Sequence, residues 1–282
     1  VLVIDDGSTD GTSEVAKATG MVDYIVRFTK RRGLARAFQA GLDACLESGA
    51  DIIVNTDADG QYKGEDIPRL VQPILEHKAD IVIGNRDIEN IRQFSWVKKR
   101  LQRLGSRVVR NLSSSTVKDA TTGFRAYNRD AAMKLNIISD YTYTLESIIQ
   151  AEKKDLAIAN ITISTNQVHR PSRLFKNIPQ YIQRSIVTLL RVYAMYSPFR
   201  LFMTVSVICV GIGSLLVLRF LLDYFLLGQG GKIQSLILAA VSLIVGFQMA
   251  VVGLVSDLIA ANRRLIEECL LRIKKIELGS KS

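Results

Sequence analysis

The chain has 282 residues, 48% of them hydrophobic, with a formal net charge of +10. That length holds one domain of about 150–200 residues and leaves room for a smaller second unit. Three scattered cysteines (Cys45, Cys209, Cys269) and two distant histidines offer neither a disulfide framework nor a zinc spacing, which suits a reducing cytosol.

The sequence opens inside an apolar strand, Val1–Ile4, with no secretory signal before it, and is expected to continue a longer N-terminal portion. The loop Asp5-Asp6-Gly7-Ser8-Thr9-Asp10-Gly11-Thr12 follows, then a helix to about Gly20, with Thr9 or Asp10 as N-cap and Gly20 as its stop. Val22–Arg27 is predicted to be a strand and Leu34–Ser48 a helix closed by Gly49. Asp51–Asn55 is a short apolar strand, Glu65–Lys78 a helix and Asp80–Gly84 a strand. This alternation predicts a parallel, doubly wound sheet.

Past Asn85 the pattern changes. Trp96–Leu112 reads as a basic helix, Ala120–Tyr127 as an irregular or strand segment, and Arg129–Leu135 as a short helix. Tyr141–Glu152 is helical, and Leu156–Thr165 alternates like an exposed strand. Phe175–Tyr196 spaces its apolar residues almost helically around Arg184 and Arg191, which predicts a helix lying in the headgroup plane. An ordinary helix packed on the sheet competes with that reading.

Phe199–Leu227 and Ile233–Ala261 each exceed the roughly 20 apolar residues that cross a bilayer core. Two such runs side by side predict a membrane hairpin rather than buried core helices, with Gly211, Gly213, Gly246 and Gly253 allowing close helix approach. His169 to Arg200 carries six basic residues and no acidic one, and the tail after Ala260 six against three. The positive-inside rule therefore puts the large domain and the tail in the cytoplasm. The excess charge is assigned to anionic headgroups and phosphates, not to nucleic acid, for which no motif is visible. The expected divisions are a catalytic domain over 1–170, an interfacial helix over 171–198, two spans over 199–261 and a basic tail over 262–282.

Two loops carry the chemistry. Asp57 and Asp59 lie at i and i+2 just past an apolar strand, with Gly60 freeing the turn. Their oxygens can converge on one hard cation, and Mg²⁺ or Mn²⁺ commonly bridges carboxylates to substrate phosphates. A solvated turn rich in Asp and Gly is the competing explanation for such a pair standing alone. The first loop imitates a calcium loop from Asp6 to Gly11, but Lys17 stands where a bidentate Glu is required. A carboxylate pair ahead of a helix instead suits nucleoside recognition, with Gly7 letting the ligand approach.

Taken together, strand-DDGSTDGT and, about fifty residues later, strand-DADGQ resemble the family 2 glycosyltransferases. Gly84-Asn85-Arg86 is similar to that family's G-x-R. Lys98-Lys99-Arg100 through Ser106-Arg107, Asp119-Ala120-Thr121-Thr122-Gly123-Phe124-Arg125, His169-Arg170-Pro171-Ser172-Arg173-Leu174 and the hairpin resemble its polyprenyl-phosphate branch. The resemblance implies a GT-A fold: a Rossmann-like α/β domain with a mostly parallel sheet, here followed by a two-helix transmembrane hairpin. It implies nucleoside contacts from Asp5, Asp6 and Gly7, with Asp57 also beside the nucleotide, and a Mg²⁺ or Mn²⁺ ion on Asp57, Asp59 and Gln61. It further implies catalytic roles for Asp57, Asp59, Arg86 and Arg125, and phosphate or lipid-phosphate contacts from Arg86, Arg107, Arg170, Ser172 and Arg173. Where some relatives carry an Asp before the Phe-Arg pair, this chain has Gly123, so no base is assigned; a lipid phosphate is already ionised at pH 7.

The expected activity is inverting transfer of a sugar from a nucleotide donor to polyprenyl phosphate at the cytoplasmic membrane face. Self-association, donor sugar and isoprenoid length stay open. A processive polysaccharide synthase would carry Q-x-x-R-W before a span, which Gln180–Ser185 does not match. A degenerate membrane-anchored nucleotide-binding protein would not need Asp57, Asp59 and Gln61.

Overall fold

The computed structural model describes residues 1–86, 119–138, 143–166, 197–227 and 233–279. The helix expected over Trp96–Leu112, the interfacial helix, Arg107, Arg170, Ser172 and Arg173 lie outside them. The chain divides into two units, Val1–Leu189 with Leu270–Ser282, and Leu190–Cys269.

In the first unit, β1 (Leu2–Asp5) pairs in parallel with β2 (Tyr24–Arg27), joined by α1 (Thr12–Ala18). Then come α2 (Leu34–Glu47), β3 (Ile52–Asn55), a 3-10 turn at Gly64–Asp66, α3 (Ile67–Leu75) and β4 (Ile81–Arg86). β5 (Arg125–Asn128), α4 (Arg129–Lys134), α5 (Thr144–Lys153) and β6 (Ile158–Ile163) complete it. The second sheet has the order β3-β5-β4-β6. β4 and β6 are parallel, while β5 runs antiparallel to both β3 and β4. The sheet is therefore mixed, with one reversed strand inside it.

Strand alternation covers both faces. Ile81 and Ile83 of β4 point to a core built with Phe38, Leu42 and Leu46 of α2, Ala131 and Ala132 of α4, and Ile148 of α5. Val82, between them, points to the other core with Leu70 and Ile74 of α3, Phe124 and Ile163. Successive strand residues face opposite sides, so a run without polar interruption needs helices on both.

This topology builds a site. β3, β4 and β6 all point the same way, so Asn55, Arg86 and Ile163 end on one sheet edge. Because β5 is reversed, it starts at that edge, and the loop ahead of Arg125 lies beside the loop after β3.

Local signals held with small shifts. Gly20 and Gly49 adopt left-handed φ of 68° and 80° after α1 and α2. The N-cap of α1 is Gly11, not Thr9 or Asp10; no side chain caps that end, and the Asp10 carboxylate instead accepts from the Thr12 hydroxyl. Asp66, buried at the start of α3, accepts from the Ser164 N–H at 3.0 Å, the Ser164 hydroxyl at 3.1 Å and Arg69 Nη1 at 2.8 Å. Burial alone would raise its pKa, but the Ser164 and Arg69 donors outweigh it and hold the carboxyl below the usual range. A carboxyl depressed in the folded state contributes stability above its unfolded value and loses it as pH falls through the folded one. Asp66→Asn should cost about 2 kcal/mol at pH 7, the scale of hydrogen bonds to a charged group. Its unfolding midpoint should then change less than that of the parent between pH 5 and the acid limit of the scan, followed by circular dichroism.

The second unit is helical. α6 (Pro198–Leu227) and α7 (Ile233–Gly279) have spans with mean hydropathy of 2.5 and 2.3, and only 11% and 17% of those residues are buried. Leu215, Phe225 and Phe247 are at least two-thirds exposed. Core helices bury such side chains, so these two are built for a lipid environment. Three glycines bring α6 and α7 together: a Cβ on Gly213 would lie 2.8 Å from Leu243 Cγ, on Gly246 2.7 Å from Val210 Cγ2, and on Gly253 3.1 Å from Phe202 Cβ. Gly211 was expected with them but faces open space. Gly246→Leu should therefore separate the helices at a cost of about 1–3 kcal/mol, whereas Gly211→Ala should be neutral or better. Thermal unfolding in detergent micelles compares the two.

α7 continues beyond its apolar part as a charged helix to Gly279. Within the first unit, Lys274 Nζ of that extension meets Asp43 Oδ1 of α2 at 2.8 Å, and Leu278 packs on the core.

Candidate active site

The loop after β1 is held from within. Asp5 is 2% exposed, and its carboxylate accepts from the Ser8 N–H at 2.7 Å and from the Ser13 hydroxyl. The Ser13 and Ser8 donors keep it below the usual carboxylate range, with Arg27 Nε 3.6 Å away. Asp5 thus shapes the loop from inside, its oxygens engaged by Ser8 and Ser13. Asp6 is a quarter exposed and accepts from the N–H groups of Arg32 at 2.7 Å and Gly33 at 2.9 Å. Gly7 has φ 74°, and a Cβ there would lie 2.6 Å from the Lys30 carbonyl carbon. The 5–8 and 30–33 loops are therefore one rigid piece, carrying exposed Arg31 beside the partly exposed Asp6.

The second loop follows β3. Gly60, at φ 71°, turns the chain so that Asp59 Oδ1 accepts from the Gln61 N–H at 2.9 Å. The Gln61 and Gly60 carbonyls accept from the backbone and side-chain amides of Asn166 at 2.9 and 3.0 Å, fixing the loop to the chain after β6. Asp57 is partly buried and Asp59 exposed. Desolvation and then the Asp59 charge raise the Asp57 pKa, against the pull of Arg86 and Arg125. Among the described residues, nothing donates a hydrogen bond to the Asp57 carboxylate.

The wall opposite is Asp119–Arg125. Asn55 Nδ2 donates to the Gly123 carbonyl at 2.7 Å and to the Tyr143 hydroxyl at 2.8 Å. The Tyr62 hydroxyl accepts from the Gly123 N–H at 3.2 Å. A Cβ on Gly123 would stand 2.6 Å from Asp57 Oδ2. Arg86 is 8% exposed and makes a two-point pair with Asp119, Nε to Oδ2 at 2.7 Å and Nη2 to Oδ1 at 3.2 Å.

Arg125 does not reach the site surface. It is fully buried, and its guanidinium donates to the carbonyls of Thr122, Thr144 and Ala120 at 2.9 Å each and to Ser147 Oγ at 2.8 Å. Those bonds make it a support of the wall, with its guanidinium spent on the 120–122 and 144–147 segments. Asp119, Tyr62, Asn55 and Tyr143 were not singled out as site residues. Asn55 and Tyr62 flank Asp57 in the sequence, but their partners do not: the reversed β5 brings the Asp119–Gly123 segment to them, and no short-range pattern signals that pairing.

The carboxylate pair fits a hard cation. Its donors are all oxygen, and the repulsion and desolvation that raise Asp57 are what a divalent ion would relieve.

Residues 1–135 match the family model described as glycosyl transferase family 2. An uncharacterized protein of Methanocaldococcus jannaschii is 34% identical over 58% of this chain and 69% of its own length. Polyprenol monophosphomannose synthase of Mycolicibacterium smegmatis is 28% identical over 58% of the chain and 65% of its own. UDP-N-acetylglucosamine–dolichyl-phosphate N-acetylglucosaminyltransferase of Methanococcus voltae is 29% identical over 58% and 74%. Among solved structures, glucosyl-3-phosphoglycerate synthase of Mycobacterium tuberculosis, in complex with Mn²⁺ and UDP-glucose, superposes with a TM-score of 0.51 at 21% identity, covering 67% of each chain. That likeness shows the GT-A fold. The chain belongs to glycosyl transferase family 2 and is a membrane-associated glycosyltransferase.

Proposed function

We propose that the chain transfers a sugar from a nucleotide donor to polyprenyl phosphate at the cytoplasmic face of a membrane. The carrying observation is one sheet edge where Asp57 and Asp59 meet the Arg86–Asp119 pair, in a chain with two exposed apolar helices. Two relatives whose names give a polyprenyl or dolichyl acceptor carry different sugars, mannose and N-acetylglucosamine, which favours the acceptor class and leaves the sugar open.

Asp57 and Asp59, with Gln61 beside them, would hold Mg²⁺ or Mn²⁺, which supplies Lewis-acid stabilisation of a departing nucleoside diphosphate. The 5–8 loop, fastened to 30–33, would orient the nucleoside, with Asp6 retaining a part-exposed carboxylate. Arg86 contributes positive charge beside Asp57 where two anions must approach. Arg107, Arg170, Ser172 and Arg173 would meet phosphates of donor and lipid. The acceptor oxygen attacks the anomeric carbon in one displacement and inverts it; being ionised, it needs no proton removed. The apolar helices and the flanking basic residues would keep the enzyme where the lipid phosphate lies.

The test is a panel of radiolabelled nucleotide sugars, membranes containing the full chain and a short polyprenyl phosphate, followed by lipid extraction. One donor should label the lipid in a reaction that EDTA stops. Labelling of a soluble sugar at the same rate would reject the acceptor class.

A further inference from the structure

Asp119 is buried at 0% exposure, 33 residues from the arginine it binds, and lies at the near end of the loop that forms the wall of the site. Its Oδ1 takes Arg86 Nη2 and also accepts from the N–H of Thr121 at 3.1 Å and its hydroxyl at 2.9 Å. The Thr121 hydroxyl in turn accepts from Arg86 Nη2 at 2.9 Å. Three oxygens from two side chains thus fix one guanidinium in orientation. A guanidinium so placed is charged at every working pH, and unopposed it would repel a cation arriving at the carboxylate pair.

We propose that Asp119 is a positioning residue: it holds Arg86 beside Asp57 and offsets its charge, so that the pair sets how tightly the carboxylates bind a divalent cation. The links run in series. The Gly84 N–H, two residues before Arg86, donates to the Phe124 carbonyl at 2.9 Å, and Gly123, next to Phe124, stands against the Asp57 carboxylate. The end of β4 that carries Arg86 therefore lies at the carboxylate's edge of the sheet. Asp119 therefore acts on the cation through Arg86, and its removal and that of Arg86 have opposite signs. Asp119→Asn leaves a net positive charge next to Asp57, and Arg86→Gln leaves a net negative one. The double variant is neutral, like the native pair.

The inference rests on the cation reading above. It is tested without donor or lipid, by titrating the full chain in detergent with Mn²⁺ alone and following free Mn²⁺ by electron paramagnetic resonance. Arg86→Gln should tighten Mn²⁺ binding by about fivefold or more, and Asp119→Asn should weaken it by about as much. The Asp119→Asn/Arg86→Gln variant should return to within about threefold of the parent, because charge is restored. With nucleotide sugar present, the double variant should keep a raised KM, because the guanidinium is gone. A purely structural role would instead weaken binding in both single variants and not restore it in the double. Single variants that shift Mn²⁺ affinity in the same direction, or a double variant as weak as the worse single, overturn the proposal. If Asp119→Asn does not fold, Arg86→Gln and the neutral double, which leaves no unpaired charge buried, decide it alone. A parent chain that binds no Mn²⁺ would reject the cation reading itself.

Discussion

Asp57→Asn should abolish transfer while leaving the fold intact. The substitution keeps the shape of a side chain lodged between Gly123 and the Asp59 turn. It removes one of two negative charges that would hold the cation, and loss of one transition-state charge contact typically lowers turnover about 10²–10³-fold. Stability should move differently. Burial and Asp59 raise the folded-state pKa of Asp57 above its unfolded value. For a carboxyl raised in this way, the ionised form costs stability; that cost is absent below the unfolded value and complete above the folded one. At pH 7 without metal, the Asn variant should therefore unfold at the parent's temperature or higher. Activity assayed beside metal-free thermal unfolding separates the two effects. A variant that loses both would mean that Asp57 is structural.

Gly123→Ala should be nearly as damaging, by steric means. A Cβ there would stand 2.6 and 2.9 Å from the two Asp57 oxygens and 2.9 Å from the Tyr143 hydroxyl. Residue 123 has nowhere to retreat, because Tyr62 holds its N–H and Asn55 its carbonyl. The carboxylate is the movable partner, so it must turn away from the position it shares with Asp59. The cost should be about 1–3 kcal/mol of stability, as for overpacked cores, with a loss of transfer near that of Asp57→Asn. Mn²⁺ affinity is the direct readout: it should fall in Gly123→Ala and remain in a control such as Gly64→Ala, where nothing lies within 4 Å.

How much of this was legible follows from which interactions are local. The strand–loop–helix units around DDGSTDGT and DADGQ depend on near neighbours, and their glycines do adopt left-handed φ at Gly7, Gly11 and Gly60. The apolar runs of α6 and α7 needed only hydropathy and length. What was missed depends on distant pairing. Nothing in DDGS shows that Asp5 turns inward to Ser13 while Asp6 ties down the backbone at 32–33. The burial of Arg125 was within reach of the sequence: on a strand it shares a face with Tyr127 two residues on, and that face is core. The reversal of β5, which carries Asp119 and Gly123 to Asp57, has no counterpart in the helix and strand pattern. A site assembled from segments more than sixty residues apart, such as Asn55 and Gly123, shows itself only once the sheet order is known.

The same reversal sharpens the choice of acceptor. Gly123 stands against the Asp57 carboxylate with no room for another side chain, which suits an acceptor that arrives already ionised. The most direct measurement compares polyprenyl phosphate with the matching polyprenol under one labelled nucleotide sugar and Mn²⁺, using the full chain in membranes. Labelled lipid should form with the phosphate and not with the alcohol, and chelation of the metal should stop it. Equal transfer to the alcohol, or transfer that survives chelation, would contradict the mechanism.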